Sequence, residues 1–65
     1  MDVTNIYNAY MELRRKTGEE YVLFCNPSDF ERELYILKNV EIKQDRRCPM
    51  GTTYIMQKKD VLDEI

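Results

Sequence analysis

The sequence predicts a small α+β domain with its elements in the order α-β-α-β-β, a three-stranded mixed sheet with two helices packed on it. Three features carry that prediction. Val3, Ile6, Tyr7, Tyr10 and Leu13 fall on one stripe at helical spacing. Tyr21-Val22-Leu23-Phe24-Cys25 is an unbroken run of β-forming and apolar residues, closed by Asn26-Pro27. Thr52 to Gln57 alternates directly after the turn residues Pro49-Met50-Gly51.

The first helix is expected from about Val3 to Thr17. Asp2 or Thr4 can cap its start, Arg14-Arg15-Lys16 put cations where they suit the dipole, and Gly18 fits just past the end. Glu19-Glu20 lead into the first strand, Tyr21 to Cys25. A run without alternation suits a strand covered on both faces, hence central in the sheet. Pro27 has no amide hydrogen to offer a ladder, so the strand ends before it. Ser28-Asp29-Phe30-Glu31 matches a capping box, in which the Ser28 hydroxyl accepts from the Glu31 amide and the Glu31 carboxylate from the Ser28 amide. The helix it opens turns Phe30, Leu34 and Leu37 inward and Glu31, Arg32, Glu33 and Lys38 to water. It closes at Lys38-Asn39, where Asn39 can take the left-handed conformation.

Val40 to Lys43 alternates as a half-buried strand, parallel to the first because a helix crosses between them. Gln44 to Arg47 form a polar connection, and Pro49 suits the first central position of a turn. The last two strands are expected to pair as a hairpin with a long, basic loop. Residues 58–65 either make a short turn capped by Asp60 or fray. Both helices are expected on one face of the sheet, leaving the other as a natural place for a partner.

Sixty-five residues allow one domain, 1–65. A chain this short buries only ~60% of its unfolded surface, so it gains from an added staple or a partner subunit. Ten basic and twelve acidic side chains, interspersed, give a net charge of -2. That balance fits neither a basic nucleic-acid-binding domain nor a strongly acidic DNA mimic. The first residues carry no basic segment followed by an apolar one, and no apolar run approaches a membrane span. The expectation is a cytoplasmic protein with no membrane contact and with Cys25 and Cys48 as reduced thiols. A Cys25–Cys48 disulfide would require the long loop to fold back onto the end of the first strand.

The chain has no histidine, which removes Ser-His-Asp triads, Cys–His pairs and a histidine general base. Two cysteines fall short of the four ligands of structural zinc. Cys48 stands beside Arg46 and Arg47, a setting that can lower a thiol pKa. No base accompanies it, and it reads as a turn cysteine packed under the loop, with Cys25 in the core. The acid pairs Glu19/Glu20, Glu31/Glu33 and Asp63/Glu64 read as solvated faces, since acid–base partners must flank a cleft. Gly18 and Gly51 are the only glycines, so there is no phosphate-cradling loop. No catalytic, cofactor-binding or metal-binding residue is assigned, no cofactor is expected, and the chain reads as a non-enzyme.

Two binding readings remain. Protein–protein binding takes Arg46, Arg47, Met50, Tyr35 and Tyr54 as its partner-facing residues, because Tyr and Arg serve most often as binding anchors. The alternative is a small nucleic-acid-binding protein using the basic 43–47 loop. Arg14-Arg15-Lys16, Lys43/Arg46/Arg47 and Lys58/Lys59 would supply charge and tyrosines would stack. Glu19, Glu20, Glu41 and Asp45 interrupt those clusters, which places this reading second. A homodimer is compatible with either.

Leu23-Phe24-Cys25-Asn26-Pro27-Ser28-Asp29-Phe30, then Leu37-Lys38-Asn39, then Cys48-Pro49-Met50-Gly51-Thr52 resembles a stretch of tailed-bacteriophage major capsid proteins, over residues 22–57. In those proteins a strand ending in Asn-Pro leads into a short helix, and a later Pro-x-Gly-Thr turn opens a strand. Capsid subunits are several times longer, so the resemblance implies a phage-type origin and a related α+β unit, with no functional residues to carry over. It implies a small accessory protein that inhibits a host or defence factor or serves in virion assembly. Its place would be the host cytoplasm or the virion.

Overall fold

The computed structural model describes residues 2–61. Helix α1 spans Val3–Thr17, and Asp2 caps it by accepting a hydrogen bond from the Asn5 amide at 3.1 Å. Gly18 closes it at φ +72°, with its N–H donated to the Arg14 carbonyl. Strand β1 follows at Tyr21–Cys25, helix α2 at Pro27–Arg32, a 3₁₀ turn at Leu34–Ile36, then strands β2 at Ile42–Gln44 and β3 at Thr53–Gln57. A further 3₁₀ turn, Lys58–Asp60, follows β3. The tail expected over 58–65 thus begins as a 3₁₀ turn, and its last four residues lie outside the described ones.

The fold class is the expected one, a small α+β unit with a three-stranded mixed sheet. The strand order is β2-β1-β3. β1 is central, as its apolar run requires. It pairs parallel with β2 (Leu23 opposite Ile42) and antiparallel with β3 (Leu23 opposite Ile55). The expected β2–β3 hairpin does not form. The 45–52 connection is long enough to carry the chain past the end of β1, so both later strands bury their backbone edges against the most apolar strand.

Register divides the side chains between two faces. Tyr21, Leu23, Ile42 and Ile55 meet α1, where Tyr10 is buried and Ile6, Met11 and Leu13 pack alongside Leu37 and Val40. The Tyr10 hydroxyl donates to the Tyr21 carbonyl at 2.7 Å and accepts from the Glu41 amide at 3.5 Å. One side chain so ties α1 to both β1 and the entry to β2. Val22, Phe24, Tyr54 and Met56 share the opposite face. Val22 is fully buried there, beside an ion pair in which Lys58 reaches Glu41 at 3.1 Å and Glu20 at 3.9 Å. Tyr54 and Met56 remain exposed.

Three local expectations change. Ser28 does not open a capping box: α2 starts two residues earlier with Pro27 in its first turn, and the Asn26 side chain caps it by accepting from the Ser28 amide at 2.9 Å. Proline's fixed φ suits that position, so the proline that stops β1 also starts the helix. The helix does not run on to Asn39. Glu33 departs from helical geometry at φ -138°, and the single 3₁₀ turn that follows keeps Leu34 fully buried. Asn39 nonetheless takes the left-handed conformation expected of it, at φ +63°. β2 is shifted to Ile42–Gln44, because its pairing begins only where the Leu23 amide reaches the Glu41 carbonyl.

Candidate partner-binding loop

The connection from β2 to β3 is a structured loop laid across the C-terminal end of β1. Its first anchor continues the parallel ladder, the Asp45 amide donating to the Cys25 carbonyl at 2.8 Å. The chain then turns, with the Cys48 amide donating to the Asp45 carbonyl at 3.0 Å. The Asp45 carboxylate accepts from the Arg47 amide and is gripped by the Arg47 guanidinium through Nε at 3.1 Å and Nη2 at 2.8 Å. That grip holds the Asp45 carboxyl down at about 2, below its ordinary 3.8, with the Arg47 side-chain hydrogen bonds the largest cause.

Two residues of the β1–α2 junction pin the far half. Asn26 donates from its side chain to the Cys48 carbonyl at 3.0 Å while its oxygen caps α2. Asp29, only 4% exposed, accepts the Gly51 amide at 2.7 Å. Asp29 thereby belongs to the loop as much as to the helix. The tip is a turn in which the Thr52 amide donates to the Pro49 carbonyl, so Met50 and Gly51 are its central residues. Pro49 therefore stands one place before the central position expected for it. Gly51, at φ +84°, occupies the third position, where a turn of type II requires positive φ. The Asn-Pro and Pro-x-Gly-Thr segments, far apart in sequence, are thus joined directly.

Beneath the loop, Cys25 and Cys48 are buried free thiols. The loop does fold back onto the end of β1, but the arginines do not activate Cys48. Burial is the largest influence on it and pushes the thiol up, Asp45 adding to the rise and Arg47 opposing it. Cys25 is pushed up likewise, chiefly by burial, with Asp29 and Cys48 adding.

The five partner-facing candidates are not equivalent. Met50 is 60% exposed at the loop tip, and Tyr54 is 49% exposed where the loop runs into β3. Arg46 is exposed and makes no ion pair among the described residues, whereas Arg47 is tied to Asp45. Tyr35 is 59% exposed but sits in the Leu34–Ile36 turn, ahead of a groove that Ile36 to Asn39 form with Val3, Thr4 and Tyr7 of α1. No hydrogen bond or ion pair among the described residues joins it to the loop. Ile36 and Met56, exposed at 55% and 41%, add apolar surface beyond the five candidates. Met56 was findable, since alternation puts it on the same face as Tyr54.

The other basic clusters are engaged locally in part. Arg15 and Lys16 both pair with Glu12, Arg14 lies over the Tyr10 ring at 5.8 Å, and Lys58 pairs with Glu41 and Glu20. Among the described residues no group of three or more His, Cys, Asp or Glu side chains could hold a metal ion, and no helix is long and apolar enough to cross a membrane. No family model, curated protein or solved structure matches the chain.

Proposed function

We propose that the chain is a non-enzymatic accessory protein of phage type that binds another protein through the 45–52 loop. The observation that carries this reading is the pairing of a buried carboxylate with an exposed apolar tip. Asp29 is withdrawn from water to hold the Gly51 amide, and the residue so presented, Met50, is 60% exposed. Burying a polar group is favourable only when it is hydrogen-bonded, and a loop ordered in advance loses less entropy on binding. Arg46, which makes no ion pair among the described residues, and the exposed Tyr54 ring stand on either side of the tip in sequence. Inhibition of a host or defence factor and a role in virion assembly both fit such a surface.

Two observations favour this over the alternatives. Four of the eight basic residues expected to serve a nucleic acid, Arg15, Lys16, Arg47 and Lys58, pair with Glu12, Asp45, Glu41 and Glu20, which weakens their attraction for phosphates. Burial pushes the Cys48 thiol up, away from the thiolate that a nucleophile needs.

A photo-crosslinking side chain placed at position 50, with position 8 on the exposed side of α1 as control, tests the reading in lysate of the host cell. A single protein adduct at 50, absent at 8 and weakened by Arg46→Ala, is the expected result. Salt-sensitive binding to DNA or RNA, flattened by Arg46→Ala with Arg47→Ala and unaccompanied by a protein adduct, would assign the loop to nucleic acid instead.

A further inference from the structure

Among the described residues, the outer edge of β3 is the one long backbone edge left open. Lys58 donates its amide to the Glu20 carbonyl at 2.8 Å, which sets the phase of the β1–β3 ladder. Alternation along an antiparallel pair then commits the N–H and C=O groups of Met56 and Tyr54 to β1 and turns those of Thr53, Ile55 and Gln57 outward. The opposite side of β1 agrees: the Leu23 amide and the Cys25 carbonyl both bond toward β2. The outward groups of β3 meet no partner among the described residues.

Exposed edges are normally blunted by brevity, charge or proline. The β2 edge follows that rule, with three residues including Lys43. β3 does not. Thr53-Tyr54-Ile55-Met56-Gln57 has five residues, with no Asp, Glu, Lys, Arg or Pro among them, and it carries Tyr54 and Met56 exposed on one face.

We propose that this edge is a homodimer seam, two copies of the chain pairing antiparallel through β3 about a two-fold axis at Ile55. In that register Thr53 faces Gln57 of the second copy and Ile55 faces its own counterpart, so every outward group of the strand acquires a hydrogen bond. Tyr54 then falls opposite Met56 of the second copy, twice by symmetry, in the closely spaced non-hydrogen-bonded positions about 4.5 Å apart at Cα. Sulfur–aromatic contact is favourable there. No charge opposes a like charge within the seam. The product is a continuous six-stranded sheet in which the strip of exposed Tyr and Met side chains is shared between subunits. A seam of two five-residue strands is small, so the dimer is reversible rather than obligate. The seam does not require the heterologous partner proposed above, although Tyr54 is a contact in both.

Sedimentation equilibrium from ~1 µM to ~1 mM reads it directly, spanning the affinities expected of a small interface. The mass is expected to rise from 7.9 kDa to twice that value. Tyr54→Lys with Met56→Lys sets lysine opposite lysine and weakens association by about tenfold or more. Tyr54→Lys with Met56→Glu sets lysine opposite glutamate in both pairs and restores it. Both positions are exposed, and circular dichroism confirms that each variant is folded. A chain that stays at 7.9 kDa throughout, a double-lysine variant that associates as the parent does, or a lysine–glutamate variant as weak as the double-lysine one would overturn the proposal.

Discussion

Tyr10 does more than fill the helix stripe on which the sequence places it. Its hydroxyl serves the buried Tyr21 carbonyl and the Glu41 amide together, so Tyr10→Phe deletes no packing but strands a buried acceptor. The expected cost is about 1–3 kcal/mol in urea unfolding, with little change in the slope of the transition. Asp45 offers a titration check. Its folded-state pKa of about 2 lies below the ordinary 3.8, so its contribution to the loop is present above the ordinary value and is lost as pH falls through about 2. Carbon-detected NMR of the Asp45 carboxyl should show that low midpoint in the parent and a return toward the ordinary value in Arg47→Ala. The arginine pair was visible in the sequence as a basic loop, but nothing local distinguished Arg47, bound to Asp45, from Arg46, which has no ion pair among the described residues.

Elements governed by near neighbours were the legible ones. α1 follows from its stripe, its aspartate cap and its glycine stop, and β1 from its apolar run and the following proline. The second helix was harder, because Pro27 serves two elements and Leu34 is drawn into the core at the expense of helical geometry at Glu33. The Asp29–Gly51 bond was not legible at all, since a first-turn aspartate looks like an ordinary dipole partner until the loop arrives above it. That bond is also the element's weak point. Asp29→Ala leaves the Gly51 amide without its acceptor and should cost about 1–3 kcal/mol, with Asp29→Asn retaining part of the bond. Gly51→Ala meets no atom within 4 Å, so its penalty of about 1–2 kcal/mol is backbone strain at φ +84° alone. Thermal melts of the three variants should separate these causes.

For the molecule as a whole, strand order was the chief departure, and the clue to it lay in β1. A strand covered on both faces and central among three must have a neighbour on each side, which a β2–β3 hairpin denies it. Loop length concealed this, because turn residues near β3 suggest a local hairpin while the connection spans the end of the sheet. A core this small has little reserve, since chains of this size rarely hold more than about 3–5 kcal/mol. Leu23→Ala empties the fully buried centre of β1 at a cost of about 2–5 kcal/mol. The variant should be largely unfolded by circular dichroism at 25 °C, whereas the exposed Met50→Ala should melt with the parent. Both the binding loop and the open β3 edge depend on that central strand staying in place. The claim that the loop is shaped before any partner arrives is tested most directly by amide hydrogen exchange at Gly51 in the isolated protein. Strong protection that is lost in Asp29→Ala is the predicted result. Exchange in the parent as fast as in an unstructured peptide would contradict it.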